Sequence, residues 1–169
     1  MPFEPFYERF RELALRETRS FTVDEGNYLG LPADEYALLE AYCNDKNCDC
    51  QRVFFNVVSR KRQTIMAVVT YGWESEAFYR KWYGSGNDEL TCMTVGEMMG
   101  LGLNSASPQS PIAPALLAPI RDILLDPAYV ARLKRHYKIF KEKIDPKHFR
   151  PSDVPKRVDA VKPKSKKRN

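Results

Sequence analysis

The chain has 169 residues, 43% of them hydrophobic and 12% aromatic, enough for one compact domain with tails. No apolar run approaches the roughly 18–20 residues needed to span a bilayer. The N-terminus, Met1-Pro2-Phe3-Glu4-Pro5-Phe6, lacks the basic and apolar regions of a signal peptide, so a cytoplasmic protein is expected. The net charge of +5 is unevenly spread. Residues 127–144 carry six Lys/Arg against one Glu, and residues 145–169 carry nine against three Asp. Residues 1–126 are left with twelve basic and eighteen acidic side chains. An acidic body and a basic C-terminal third make a polyanion a reasonable partner.

In chain order, residues 3–17 read as an amphipathic helix. Phe3, Phe6, Tyr7, Phe10, Leu13 and Ala14 fall at helical spacing, with Pro5 in the first turn. Residues 18–34 read as irregular, punctuated by Gly26-Asn27 and Gly30-Leu31-Pro32. Three β-prone runs follow, at about 35–43, 50–59 and 63–72. Short links favour sequential pairing, so the expected sheet is a three-stranded antiparallel meander with helices on at least one face.

Residues 75–83 predict a short helix stopped by Gly84. Residues 84–110 read as a long Met- and Gly-rich loop, with room for a short strand around Leu90 to Val95. Ser110-Pro111 and Asp126-Pro127 each pair a capping residue with a proline. They predict helices at about 111–125 and 127–144. The expected fold is therefore α+β: a small antiparallel sheet covered by an N-terminal helix and two to three C-terminal helices. Residues 1–144 form one domain in this reading. Residues 145–169 form a basic, Pro- and Lys-rich tail with too few apolar groups to offset its ordering entropy.

The chemistry-bearing feature is Cys43-x4-Cys48-x-Cys50, three of the four cysteines inside eight residues. Cys48 and Cys50 are too close for an ordinary disulfide. Thiolates clustered in a turn between two strands suit one zinc ion in a structural role. The spacing is neither the C-x2-C knuckle nor the plant-type ferredoxin pattern. The competing reading is a set of reduced thiols buried in a hydrophobic hairpin. Against that reading, Asp45, Asn47 and Asp49 describe an exposed turn, where free thiols are a liability.

A closed zinc site needs a fourth ligand. His136 ranks first, because it lies on the edge of the apolar stripe of the last helix. Cys92 is second, Asp45 or Asp49 third, and His148 last, because it falls in the expected tail. The sequence-based metal set is thus Cys43, Cys48, Cys50 and His136.

The second constellation is cationic: Arg132, Lys134, Arg135, Lys138 and Lys141 on the last helix, then Lys164, Lys166, Lys167 and Arg168. Such groups track phosphates and release counterions. No P-loop accompanies them, and Glu74 and Glu76 suit a helix first turn better than an acid/base pair. The sequence therefore favours a non-enzymatic zinc-stabilised domain that binds nucleic acid, a ribonucleoprotein or an acidic protein. Its alternatives are an adaptor that uses residues 84–110 and the nearby aromatics, and a small metal- or thiolate-dependent enzyme.

Overall fold

The computed structural model describes residues 3–84 and 89–149. The chain is α+β, with one antiparallel sheet. Its elements in order are β1 (Phe3–Pro5), α1 (Phe6–Arg9), α2 (Arg11–Glu17), β2 (Arg19–Val23), β3 (Asp34–Cys43), β4 (Arg52–Ser59), β5 (Thr64–Gly72), α3 (Glu76–Tyr83), α4 (Glu89–Met98), β6 (Gly100–Leu103), α5 (Ala113–Leu124) and α6 (Pro127–Ile144). No helix among the described residues is long and apolar enough to cross a membrane.

The expected meander is present as β3-β4-β5, but the sheet is larger: six strands among the described residues rather than three. It runs β1-β3-β4-β5-β6, with β2 also paired to β3. β1 and β2 share one edge of β3. Phe3 to Pro5 pair with Cys43 to Ala41, and Arg19 to Val23 pair with Leu38 to Asp34. The expected helix over 3–17 is accordingly broken. Phe3 is a strand residue stacked on Phe54 at 3.7 Å, and Pro5 is the N-cap of α1. Phe10 leaves helical geometry, at φ −130° and ψ 51°, and separates α1 from α2.

Strict alternation explains which face is covered. In β4, Val53, Phe55 and Val57 are fully buried, whereas Phe54, Asn56 and Val58 are half-buried. The buried face joins Tyr36, Leu38 and Tyr42 of β3 in one cluster with Phe6, Leu116, Ile120, Leu133 and Phe140. Each fully buried Leu or Phe contributes about 1.5–3 kcal/mol relative to exposure.

Within the segment expected as a loop, residues 89–98 form α4, where a short strand was expected around 90–95, and residues 100–103 form β6, while residues 85–88 lie outside the described residues. α4 carries Val95 and Met98 onto Tyr79 of α3, forming a second small core. Gly72 permits this approach: a Cβ there would stand 2.0 Å from the Met98 carbonyl oxygen and 2.6 Å from Tyr79 Oη. Beyond β6, the Gln109 side chain accepts from Val68 N and donates to Val68 O, both at 3.0 Å, and so extends the ladder beyond the end of the strand.

The two C-terminal helices lie where the proline signals put them, with one difference in capping. Asp126 caps α6 as expected, accepting from Ala128 N at 2.9 Å, with Pro127 in the first turn. α5 begins later than Ser110 predicts: its N-cap is Ile112 and makes no side-chain capping bond. The face that α6 buries carries Tyr129, Leu133, His136, Tyr137, Phe140 and Lys141.

Candidate metal centre

β3 ends at Cys43 and β4 begins at Arg52, so the cysteine segment is the loop between two central, paired strands. Two residues turn it back on itself. Asn47 and Gln51 adopt left-handed conformations, at φ 60° and 48°, which Asn tolerates better than most residues. The loop thereby returns Cys48 and Cys50 to Cys43, and the three sulfurs all lie within 4.8 Å of one another. Tetrahedral zinc with Zn–S bonds of ~2.3 Å requires sulfurs about 3.8 Å apart. The triad is thus close enough to hold a metal ion, and its donors are soft thiolates. Cys43 and Cys50 are buried, and Cys48 is half-buried, the most accessible of the three.

The electrostatics of the triad favour removal of a first proton. Hydrogen bonds from the Cys48 and Cys50 thiols, then the Asp45 backbone N–H and the nearby Lys141 charge, hold Cys43 far below the usual thiol range against the opposing effect of burial. Cys48 and Cys50, donors to that sulfur, are pushed up in return. The three titrate as a set, and a divalent cation can replace the protons they share.

One face of α6 and the residues following it hold this loop. Lys141 is fully buried and donates to the carbonyls of Asp45 (2.8 Å) and Cys43 (3.3 Å). One turn earlier, Tyr137 Oη donates to Asp49 Oδ1 at 2.9 Å and accepts from Gln51 N at 3.3 Å. One turn later, Asp145 Oδ2 accepts from Asn47 N at 2.8 Å. From the other side, Tyr79 Oη donates to Gln51 O (2.8 Å) and Trp73 Nε1 donates to Gln51 Oε1 (3.0 Å). Sequence reasoning put Lys141 among the outward cations and missed that it, Tyr137 and Asp145 hold the loop. Their only signal is polar groups at i, i+4 and i+8 along an otherwise apolar helix face.

The fourth ligand expected from sequence is elsewhere. His136 is inward, as its stripe position implied, but does not join the sulfurs. Its Nδ1 lies 2.7 Å from Glu40 Oε2, its Nε2 lies 3.0 Å from Glu17 Oε2, and its ring stacks on Phe6 at 4.5 Å. Glu40 also accepts from Tyr42 Oη at 2.8 Å. This is a buried hydrogen-bonded histidine that ties α6 to β3 and α2. Cys92 is exposed, with the Arg80 guanidinium 3.7 Å from its sulfur. The Asp49 carboxylate is taken by Tyr137 and Gln51. His148 lies in a turn just after α6, with Nδ1 3.2 Å from Asp145 Oδ2.

The cationic set also divides. Lys134 is exposed, and Lys138, half-exposed, lies 4.0 Å from Glu142. Arg135 is paired with Glu17, and Arg132 stacks over Tyr129 at 4.9 Å. Lys141 is not on the surface at all, because the cysteine loop covers it. Lys164, Lys166, Lys167 and Arg168 lie outside the described residues.

Comparison with known proteins returns no match: no protein-family model, no curated protein and no solved structure is significantly similar to this chain.

Proposed function

We propose that this chain is a non-enzymatic, zinc-stabilised domain that carries a basic C-terminal surface and segment to an acidic partner, nucleic acid first. The observation that carries the reading is the convergence of Cys43, Cys48 and Cys50 within 4.8 Å in a loop that α6 clamps. Zinc suits a trio of thiolates and undergoes no redox chemistry of its own. Its role here is structural. It ties the end of β3 to the entrance of β4, so that binding free energy becomes folding free energy.

The partner half of the reading rests on charge. Lys134 and Lys138 face outward on α6, and the chain continues through a segment rich in Lys and Arg. Phosphate contacts of this kind give affinity that falls steeply with salt. Fluorescence-detected binding of a single-stranded oligonucleotide, measured against salt for the full chain and for a chain lacking residues 151–169, tests it. The reading expects salt-sensitive binding that collapses on deletion. Binding unchanged by the deletion, or no binding by the full chain, contradicts it.

A further inference from the structure

Resting on that zinc reading, we propose that His148 is the fourth ligand of the centre, through Nε2, with Asp145 orienting the ring through Nδ1. The chain holds four cysteines and two histidines. Three cysteines form the triad, Cys92 is exposed beside Arg80, and both nitrogens of His136 face carboxylates. His148 is the remaining thiol or imidazole, and it stands beside the loop.

The link is short and runs through one carboxylate oxygen. Asp145 Oδ2 accepts the backbone N–H of Asn47, the residue before Cys48, and the same oxygen lies 3.2 Å from His148 Nδ1. Lys46, Asn47, Asp145 and His148 line one surface cleft of about 310 Å³. The turn that carries the histidine is fixed in place. His148 N and Phe149 N both donate to the Asp145 carbonyl, and the Phe149 ring packs edge-on against Tyr137 and under Lys141.

A carboxylate on one imidazole nitrogen, with the other nitrogen turned to a metal, is the usual support for a histidine ligand. No sulfur lines that cleft and His148 does not stand with the triad in this conformation, so ligation requires the ring, 61% exposed, to turn towards the half-buried Cys48.

Cobalt substitution of the full-length chain tests the assignment. In the wild type we expect thiolate-to-cobalt charge-transfer absorption together with the visible ligand-field bands of a tetrahedral site of three sulfurs and one nitrogen. His148→Ala should keep the charge transfer, shift the ligand-field bands and weaken zinc binding. Asp145→Asn should keep the bands and weaken zinc binding by about 10- to 100-fold. His136→Gln should leave the spectrum unchanged. A His148→Ala spectrum and zinc affinity identical to wild type, with charge transfer still lost in Cys48→Ser, overturns the assignment and leaves the metal reading standing. No cobalt uptake by the wild type overturns both.

Discussion

The ammonium of Lys141, a side chain with no solvent exposure, donates to the backbone carbonyl of Asp45 at 2.8 Å, ninety-six residues away in sequence. A charged lysine is tolerated in a core only where acceptors replace its water. Here the acceptors are two carbonyls of the cysteine loop, and Phe149 offers its ring face at 5.1 Å. The last helix and the candidate metal loop are therefore one structural unit.

Lys141→Met removes the charge, keeps most of the volume and leaves both carbonyls short of a donor. Each unsatisfied buried acceptor costs about 1–3 kcal/mol, partly offset by the added apolar burial. A net loss of about 2 kcal/mol in urea-melt stability is expected. A stability equal to wild type would mean that the loop does not depend on Lys141.

His136→Ala leaves Glu40 buried and opposite an empty space. Removing one partner of a buried hydrogen bond costs about 1–3 kcal/mol and the lost ring leaves a cavity beside Phe6, so this variant should be destabilised. Whatever folded protein remains should bind metal with unchanged stoichiometry, because His136 belongs to the Glu17–Glu40 cluster. Denaturant melts and elemental analysis of the same preparation check both halves.

How much of this was legible in the sequence depends on the range of the signal. β4 and β5 announce themselves by β-branched and aromatic runs, β3 by its apolar Tyr36–Tyr42 stretch, and their order follows from short connections. β1 and β2 are three and five residues long, and their pairing is with the far side of β3, so nothing local marks them. The helical spacing of Phe6, Phe10 and Leu13 simply absorbed Phe3. α4 lacks a polar–apolar face, and its glycine and methionines read as loop. The sulfur triad was legible because its three members are close in sequence. The stripe on α6 correctly turned His136 inward, but periodicity cannot say which residue it meets. Glu40 and Glu17 lie ninety-six and one hundred and nineteen residues away.

Asp34 supplies a pH dependence. Burial alone would raise its carboxyl, but hydrogen bonds from Ser59 Oγ, Lys61 N and Glu35 N outweigh that and hold it below the ordinary range. A folded-state pKa below the unfolded one stabilises the protein at pH values above the unfolded pKa of about 3.9. That contribution is lost as pH falls from about 4 through the depressed value. Asp34→Asn should flatten the stability–pH curve in that window, and an unchanged slope would count against the role of Asp34 in closing the β4–β5 hairpin.

Gly72→Ala should separate α4 from the sheet. The added methyl group meets a backbone carbonyl at 2.0 Å, which no rotamer change relieves. Overpacking of this kind typically costs about 1–3 kcal/mol. Amide exchange should accelerate in α3 and α4, with β3 and β4 unaffected. Protection identical in wild type and variant would contradict the close packing at Gly72.

The most direct test is elemental analysis of the chain purified without added metal or chelator, beside Cys43→Ser, Cys48→Ser and Cys50→Ser. We expect close to one zinc per wild-type chain and a clear loss in each variant, with chelation of the wild type lowering its melting temperature. Wild-type protein that folds with the same melting temperature and carries no metal would return the three cysteines to ordinary reduced thiols at the end of a strand.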